Sequence, residues 1–148
     1  MTVVREDGGI AVLYATLLIP TFLILLAFVV ELGALRVTRA RLIAAADLAA
    51  TSAVNEQDRA ALAIDGTYRL SASAPEVARR LLASELAPLA PRLAGTTPDA
   101  LAASAQITTF ERTGMRISFV APVHAPLLVL AALRDTTTIR ISATASAR

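Results

Sequence analysis

Residues 10–30 read IAVLYATLLIPTFLILLAFVV, running from Ile10 to Val30 as 21 residues without a charged side chain. At about 1.5 Å of rise per residue, a helix of this length spans the roughly 30 Å hydrocarbon core of a bilayer. That decides the class: a small protein with one membrane span. Three fates are open to such a segment near the start of a chain. It can be a removable export signal, a plain anchor, or a helix that assembles with its neighbours. An export signal needs a basic leader, an apolar stretch of roughly 7–15 residues and a small-x-small cleavage site. Here the leader sets Glu6 and Asp7 beside Arg5, the apolar run is longer, and Glu31-Leu32-Gly33-Ala34 leads on into more helix. The export signal fits worst.

Outward from the run, no Gly or Pro interrupts Leu35 to Val54, and apolar residues recur at Leu35, Leu42, Ala46, Ala49 and Ala53. That spacing predicts a narrow, Ala-rich helical face, so the membrane helix continues from Glu31 to about Val54. Arg36, Arg39 and Arg41 then lie just beyond the membrane surface. Pro20 lacks a backbone N–H and is expected to kink the helix in mid-span.

Composition narrows the functions. The chain has 148 residues, so about 115 remain past the run, enough for one modest domain. Its mean hydropathy is +0.62 and its formal charge only +2. All 14 basic residues are Arg, scattered along the chain, and Trp is absent. Neither a basic patch nor an aromatic platform for bases is present, so nucleic acid is not an expected partner. With no cysteine, disulfides, thiolate metal sites and cysteine nucleophiles are excluded.

Four stretches, in order, carry a likeness to a known family. They are Gly8-Gly9-Ile10-Ala11-Val12-Leu13-Tyr14-Ala15 with the later Pro20; Val30-Glu31-Leu32-Gly33; Ala44-Ala45-Ala46-Asp47-Leu48-Ala49-Ala50; and Ile139-Arg140-Ile141-Ser142-Ala143-Thr144-Ala145. Together they resemble the TadE/TadG-like minor pseudopilins of tight-adherence (Flp-type, type IV-like) pilus systems. The resemblance implies cleavage by a prepilin peptidase after Gly8, leaving Gly9 first and Tyr14 sixth in the mature chain. It implies partners as well: membrane lipid, other pilin or pseudopilin subunits, and an inner-membrane assembly platform. The family pattern places Glu fifth in the mature chain, where this sequence has Leu13. A glutamate buried in the bilayer is tolerated when it pairs with the terminal amine of an adjacent subunit, and Leu13 cannot make that pair. The departure leaves two roles open, a subunit at the end of an assembly or an anchor that does not polymerise.

The organisation expected is a prepilin-type leader over 1–8, a transmembrane helix over 9–33, an amphipathic continuation over 34–60 and a head over 61–148. Orientation draws opposite answers. The Arg residues after the span favour a cytoplasmic head by the positive-inside rule, whereas the resemblance places the head outside the bacterial cytoplasmic (inner) membrane. The family orientation is adopted.

In the head, Asn55-Glu56-Gln57-Asp58-Arg59 and Asp65-Gly66-Thr67 read as surface and turn. Ser73-Ala74-Pro75-Glu76 has the form of a capping box, with Val77, Leu81, Leu82 and Leu86 forming the apolar face that follows. Thr97-Pro98-Asp99 starts another helical turn. From Gln106 the period becomes two. Met115, Ile117 and Phe119 alternate with polar residues, as do Ile139, Ile141 and Ala143, and Thr113-Gly114 suggests the turn of a hairpin. The fold class expected is α+β: a long N-terminal helix with a small head of helices packed on an antiparallel sheet of about three strands, pilin-like in build.

Between the last two strands, Val120 to Leu133 carries His124 as its only polar side chain. It reads either as a buried turn of helix from Pro126 or as an exposed apolar patch that docks a partner or the membrane surface. His124 is the only histidine, the carboxylates are scattered, and no glycine-rich phosphate loop is present. The expectation is a protein that is not an enzyme and holds no cofactor. Glu31, at the membrane edge, reads as an interfacial charge or as a partner for Arg36 or a neighbour's Arg. An unprocessed single-span accessory protein, whose head binds a partner, is the alternative to a pseudopilin.

Overall fold

The computed structural model describes residues 7–131 and 133–147, and the chain forms two compact units. One comprises the chain up to Leu35 with Ala125–Asp135; the other comprises Arg36–His124 and the chain from Thr136 onward. Helix α1, Asp7–Val54, contributes residues to each.

In the first unit, every side chain of α1 from Ala11 to Leu26 is exposed. The few polar groups of this stretch are answered within the helix. Thr16 Oγ1 donates to the Val12 carbonyl at 2.7 Å and Thr21 Oγ1 to the Leu17 carbonyl at 2.8 Å. A helix surrounded by hydrocarbon requires such internal satisfaction. Pro20 stands inside α1 and does not end it. The other part of this unit is a loop holding a 3-10 turn, Pro126–Ala131. The Ala125 N–H closes its base by donating to the Asp135 carbonyl at 2.6 Å.

In the second unit, α1 continues from Arg36 and ends at Val54, as its spacing predicts. Leu42, Ala46, Ala49, Ala50 and Ala53 are wholly buried there. The polar cluster that follows is more ordered than a surface turn. Asp58 Oδ1 accepts from the N–H groups of Ala60 and Ala61, both at 3.1 Å, and starts helix α2, Arg59–Asp65. Gly66 ends it at φ 63°, a left-handed conformation that favours glycine.

Helix α3, Ala74–Leu86, buries Ala74, Ala78, Leu82 and Leu86, one stripe at four-residue spacing. The expected capping box does not form. Ser73 already has helical backbone angles, its hydroxyl shares a 2.9 Å hydrogen bond with that of Ser71, and Glu76 pairs with Arg79 at 3.4 Å. The prolines Pro88 and Pro91 lie in a 3-10 segment, Ala87–Arg92. Helix α4, Pro98–Ser104, begins as predicted, with Thr97 Oγ1 accepting from the Ala100 N–H at 3.2 Å.

The sheet has three antiparallel strands, β1 (Gln106–Phe110), β2 (Gly114–His124) and β3 (Thr136–Ser146), in the order β1-β2-β3. Met115, Ile117, Phe119, Ala121 and Val123 alternate inward along β2. Ile117 stands between Ile107 and Ala143, and Phe119 faces Ile141. Helix α3 packs on α4 and β1, and α4 on β2. The α+β class holds, and two details differ from expectation. At the hairpin it is Glu111 and Arg112, at φ 52° and 61°, that take left-handed conformations. Gly114 has another use: it lets the Phe110 ring lie over the backbone, where a Cβ would come within 2.5 Å of the ring and force it to shift. The second strand also extends through His124, so only the part of the apolar run from Ala125 onward is loop.

Candidate assembly and membrane-edge site

The glycines Gly8 and Gly9 lie in the first turn of α1, whereas residues 1–6 of the expected leader lie outside the described residues. A Cβ at Gly9 would meet nothing within 4 Å, so packing does not explain a glycine there. Leu13, Tyr14 and Pro20 are exposed along the same helix. Arg36, Arg39 and Arg41 are exposed as well, spread over one and a half turns just past the uncharged run.

Glu31 behaves differently from every neighbour. From Ala11 to Leu35 it is the single buried residue, only 3% exposed. Its Oε2 accepts a hydrogen bond from the Leu127 N–H at 3.1 Å, and its Oε1 has no partner among the described residues. Within the chain Glu31 is buried, and among the described residues it forms no ion pair with Arg36. Its partner is a backbone amide 96 positions further on.

The loop supplies the reason. Pro126 carries no N–H, and Leu128 donates to the Ala125 carbonyl at 3.1 Å. Leu127 is thus the one amide at the start of the 3-10 turn that needs an outside acceptor, because the first amides of a helix have no partner within it. Glu31 supplies that acceptor. Nothing local in the sequence announces this contact. The sequence offered Glu31 only Arg36 or a neighbour's Arg as a partner, and left Val120 to Leu133 as a buried turn or a docking patch.

Elsewhere the polar groups serve the head's own structure. Asp58 Oδ2 accepts from Arg69 Nε at 3.0 Å, and the Asp58 N–H donates to the Arg69 carbonyl at 3.0 Å. The Ala61 amide first, and Arg69 with the Ala60 amide, hold the Asp58 carboxyl below its ordinary value against a smaller opposing effect of desolvation. The Arg116 guanidinium lies 5.8 Å from the centroid of the Phe110 ring, on the outer face of the sheet. His124 is exposed at the end of β2, opposite Thr136. An open depression on the sheet is lined by Gln106, Ser118 and Ser142 together with Arg140. Among the described residues, no three His, Asp or Glu side chains converge as metal ligands.

Comparison with known families matches residues 8–56 to the family described as "Putative Flp pilus-assembly TadE/G-like". The match covers about a third of the chain, from the glycine pair through the end of α1. No curated protein and no solved structure gives a significant match. Among the described residues, one helix, α1, is long and apolar enough to cross a membrane.

Proposed function

We propose that this chain, which belongs to the TadE/G-like Flp pilus-assembly family through its residues 8–56, is a minor pseudopilin acting in assembly, initiation or capping of a tight-adherence filament. The observation that carries this reading is the division of labour along α1. Its uncharged half leaves all side chains from Ala11 to Leu26 exposed, while its later half is buried in the head unit through Leu42, Ala46, Ala49 and Ala53. The first half is thereby available to lipid and to neighbouring helices, and the second holds the head. The role is assembly, not turnover.

The peptidase substrate in this reading is the junction between Gly8 and Gly9. Gly9 has open space around it, so a glycine at that position is better accounted for by recognition and trimming than by packing. Leu13, standing where the family pattern has Glu, supports a place at an end of the assembly, since no neighbour's terminal amine can pair with it. The chain then sits in the bacterial inner membrane with the head outside the cytoplasm, in contact with sister subunits and the assembly platform.

The test is intact mass and N-terminal sequencing after co-expression with a prepilin peptidase. The expected product begins at Gly9, and Gly8→Leu should abolish trimming while leaving membrane insertion unchanged. Persistence of the full-length chain in the wild type would instead favour the unprocessed anchor, the reading that the acidic residues Glu6 and Asp7 before the glycines would support.

A further inference from the structure

We infer that the loop Ala125–Asp135 is a second membrane-contacting element, held by Glu31 in the interfacial layer of the leaflet where α1 leaves the bilayer. The inference rests on the reading of residues 10–30 as a membrane span. Those 21 uncharged residues fill the hydrocarbon thickness, so Glu31, the next residue, lies at the boundary between hydrocarbon and headgroups. The 3.1 Å bond from the Leu127 N–H ties the 3-10 turn to the helix at that residue. The loop and the uncharged helix also belong to one compact unit.

The chemistry of the loop fits lipid as the occupant. Leu127 and Leu128 are half-exposed, while Val129 is 54% and Leu133 52% exposed, close to Val29 and Val30 on the helix at 57% and 56%. An apolar surface of this kind, beside the end of a span, is continuous with surface that lipid already covers. Arg134 follows directly and is exposed, as is Arg36 on α1, so cations lie where anionic headgroups would be. The turn has six residues, far too few to cross, so it must lie along the interface. Glu31 acts as a positioning residue. Its Oε2 answers the one amide of the turn that would otherwise have to find water.

The sequence has no Trp, which makes single-Trp variants of the full chain direct probes of depth. The variants are Val129→Trp and Leu133→Trp in the loop, Leu23→Trp in mid-span and Ile64→Trp in the head, where the side chain is 81% exposed. Each is reconstituted in phosphatidylcholine/phosphatidylglycerol vesicles carrying bromine either near the headgroup or deep in the acyl chain. Shallow bromine should quench the two loop probes at least twofold and more than deep bromine does. The Leu23→Trp variant should show the reverse order, and Ile64→Trp no quenching. Loop probes as unquenched as the head probe would overturn the inference, including the case in which their emission shifts only with protein density, which would mark a protein–protein face. Loss of quenching at Leu23→Trp would instead sink the span itself, so the two failures are distinguishable. Adding Glu31→Ala should at least halve quenching of the loop probes and leave Leu23→Trp unchanged, whereas Glu31→Gln, which keeps an acceptor oxygen, should preserve it. Equal quenching with Ala and Gln at position 31 would remove Glu31 from the role.

Discussion

Asp58 shows how one side chain organises a segment that looks like surface in the sequence. Its two oxygens receive the Ala60 and Ala61 amides on one side and Arg69 on the other, joining the start of α2 to the residues that follow it. These contacts favour the ionised form, so the carboxyl titrates below its ordinary value in the folded chain. The sign follows from linkage. A lowered folded value contributes stability above the unfolded pKa of about 4, and that contribution is lost as pH falls through the folded value. The full chain in detergent micelles should therefore melt higher than its Asp58→Asn variant at neutral pH, and the difference should close as pH falls below about 4. A difference that stays constant down to pH 3 would show that the charge of Asp58 is not what the fold uses. At this scale the sequence was partly legible. Thr97 caps α4 as its position before Pro98 suggests. Ser73 does not cap α3, because its hydroxyl is already engaged with Ser71 in the preceding turn and its own backbone is helical. A capping motif states which bonds are available; the entry angle of the chain decides whether they form.

Among the elements, α1 was legible because one rule covers its whole length. An uncharged run gives way to a narrow Ala stripe without a Gly or Pro after Gly33, so both its extent and its end near Val54 follow from pattern. The stripe also explains its packing. Ala46, Ala49 and Ala53 are fully buried, and small side chains let the helix approach the rest of its unit closely. Ala49→Leu has no space to enter and should cost about 1–3 kcal/mol through overpacking. Leu48→Ala, one residue away but half-exposed, should change stability by less than about 0.5 kcal/mol. Thermal unfolding of both full-length variants under the same detergent conditions checks the pair, and equal losses would mean that the buried stripe does not hold the unit together. The strands were legible in number but not in length. Val120, Pro122 and His124 occupy the outward positions of β2, and only one of them is an ordinary polar residue. The alternation that marks Met115–Phe119 thus fades in composition while it continues in geometry, and the strand runs on to His124.

At the scale of the whole molecule, the open question is which side of the membrane holds the head, and two arguments compete. Arg36, Arg39 and Arg41 follow the uncharged run, against Arg5 alone before it, and basic residues tend to remain on the cytoplasmic side. The function proposed above requires the opposite orientation, since a subunit that is trimmed and assembled as proposed would present its head away from the peptidase. Glu31 also bears on this choice. The interfacial layer beside it already holds the apolar turn Pro126–Ala131 in the reading advanced above, so the Arg residues need not be counted as a free basic loop. That contact joins residues 96 positions apart and leaves no local trace in the sequence, so a count of charges along the chain does not register it. The orientation can be measured cleanly because the chain has no cysteine. A single Ile64→Cys substitution places a thiol on the most exposed large apolar side chain of the head. In intact spheroplasts a membrane-impermeant maleimide should label it to the same extent before and after lysis. Labelling that appears only after lysis would put the head in the cytoplasm, restore the positive-inside assignment and remove the chain from the outer part of any filament.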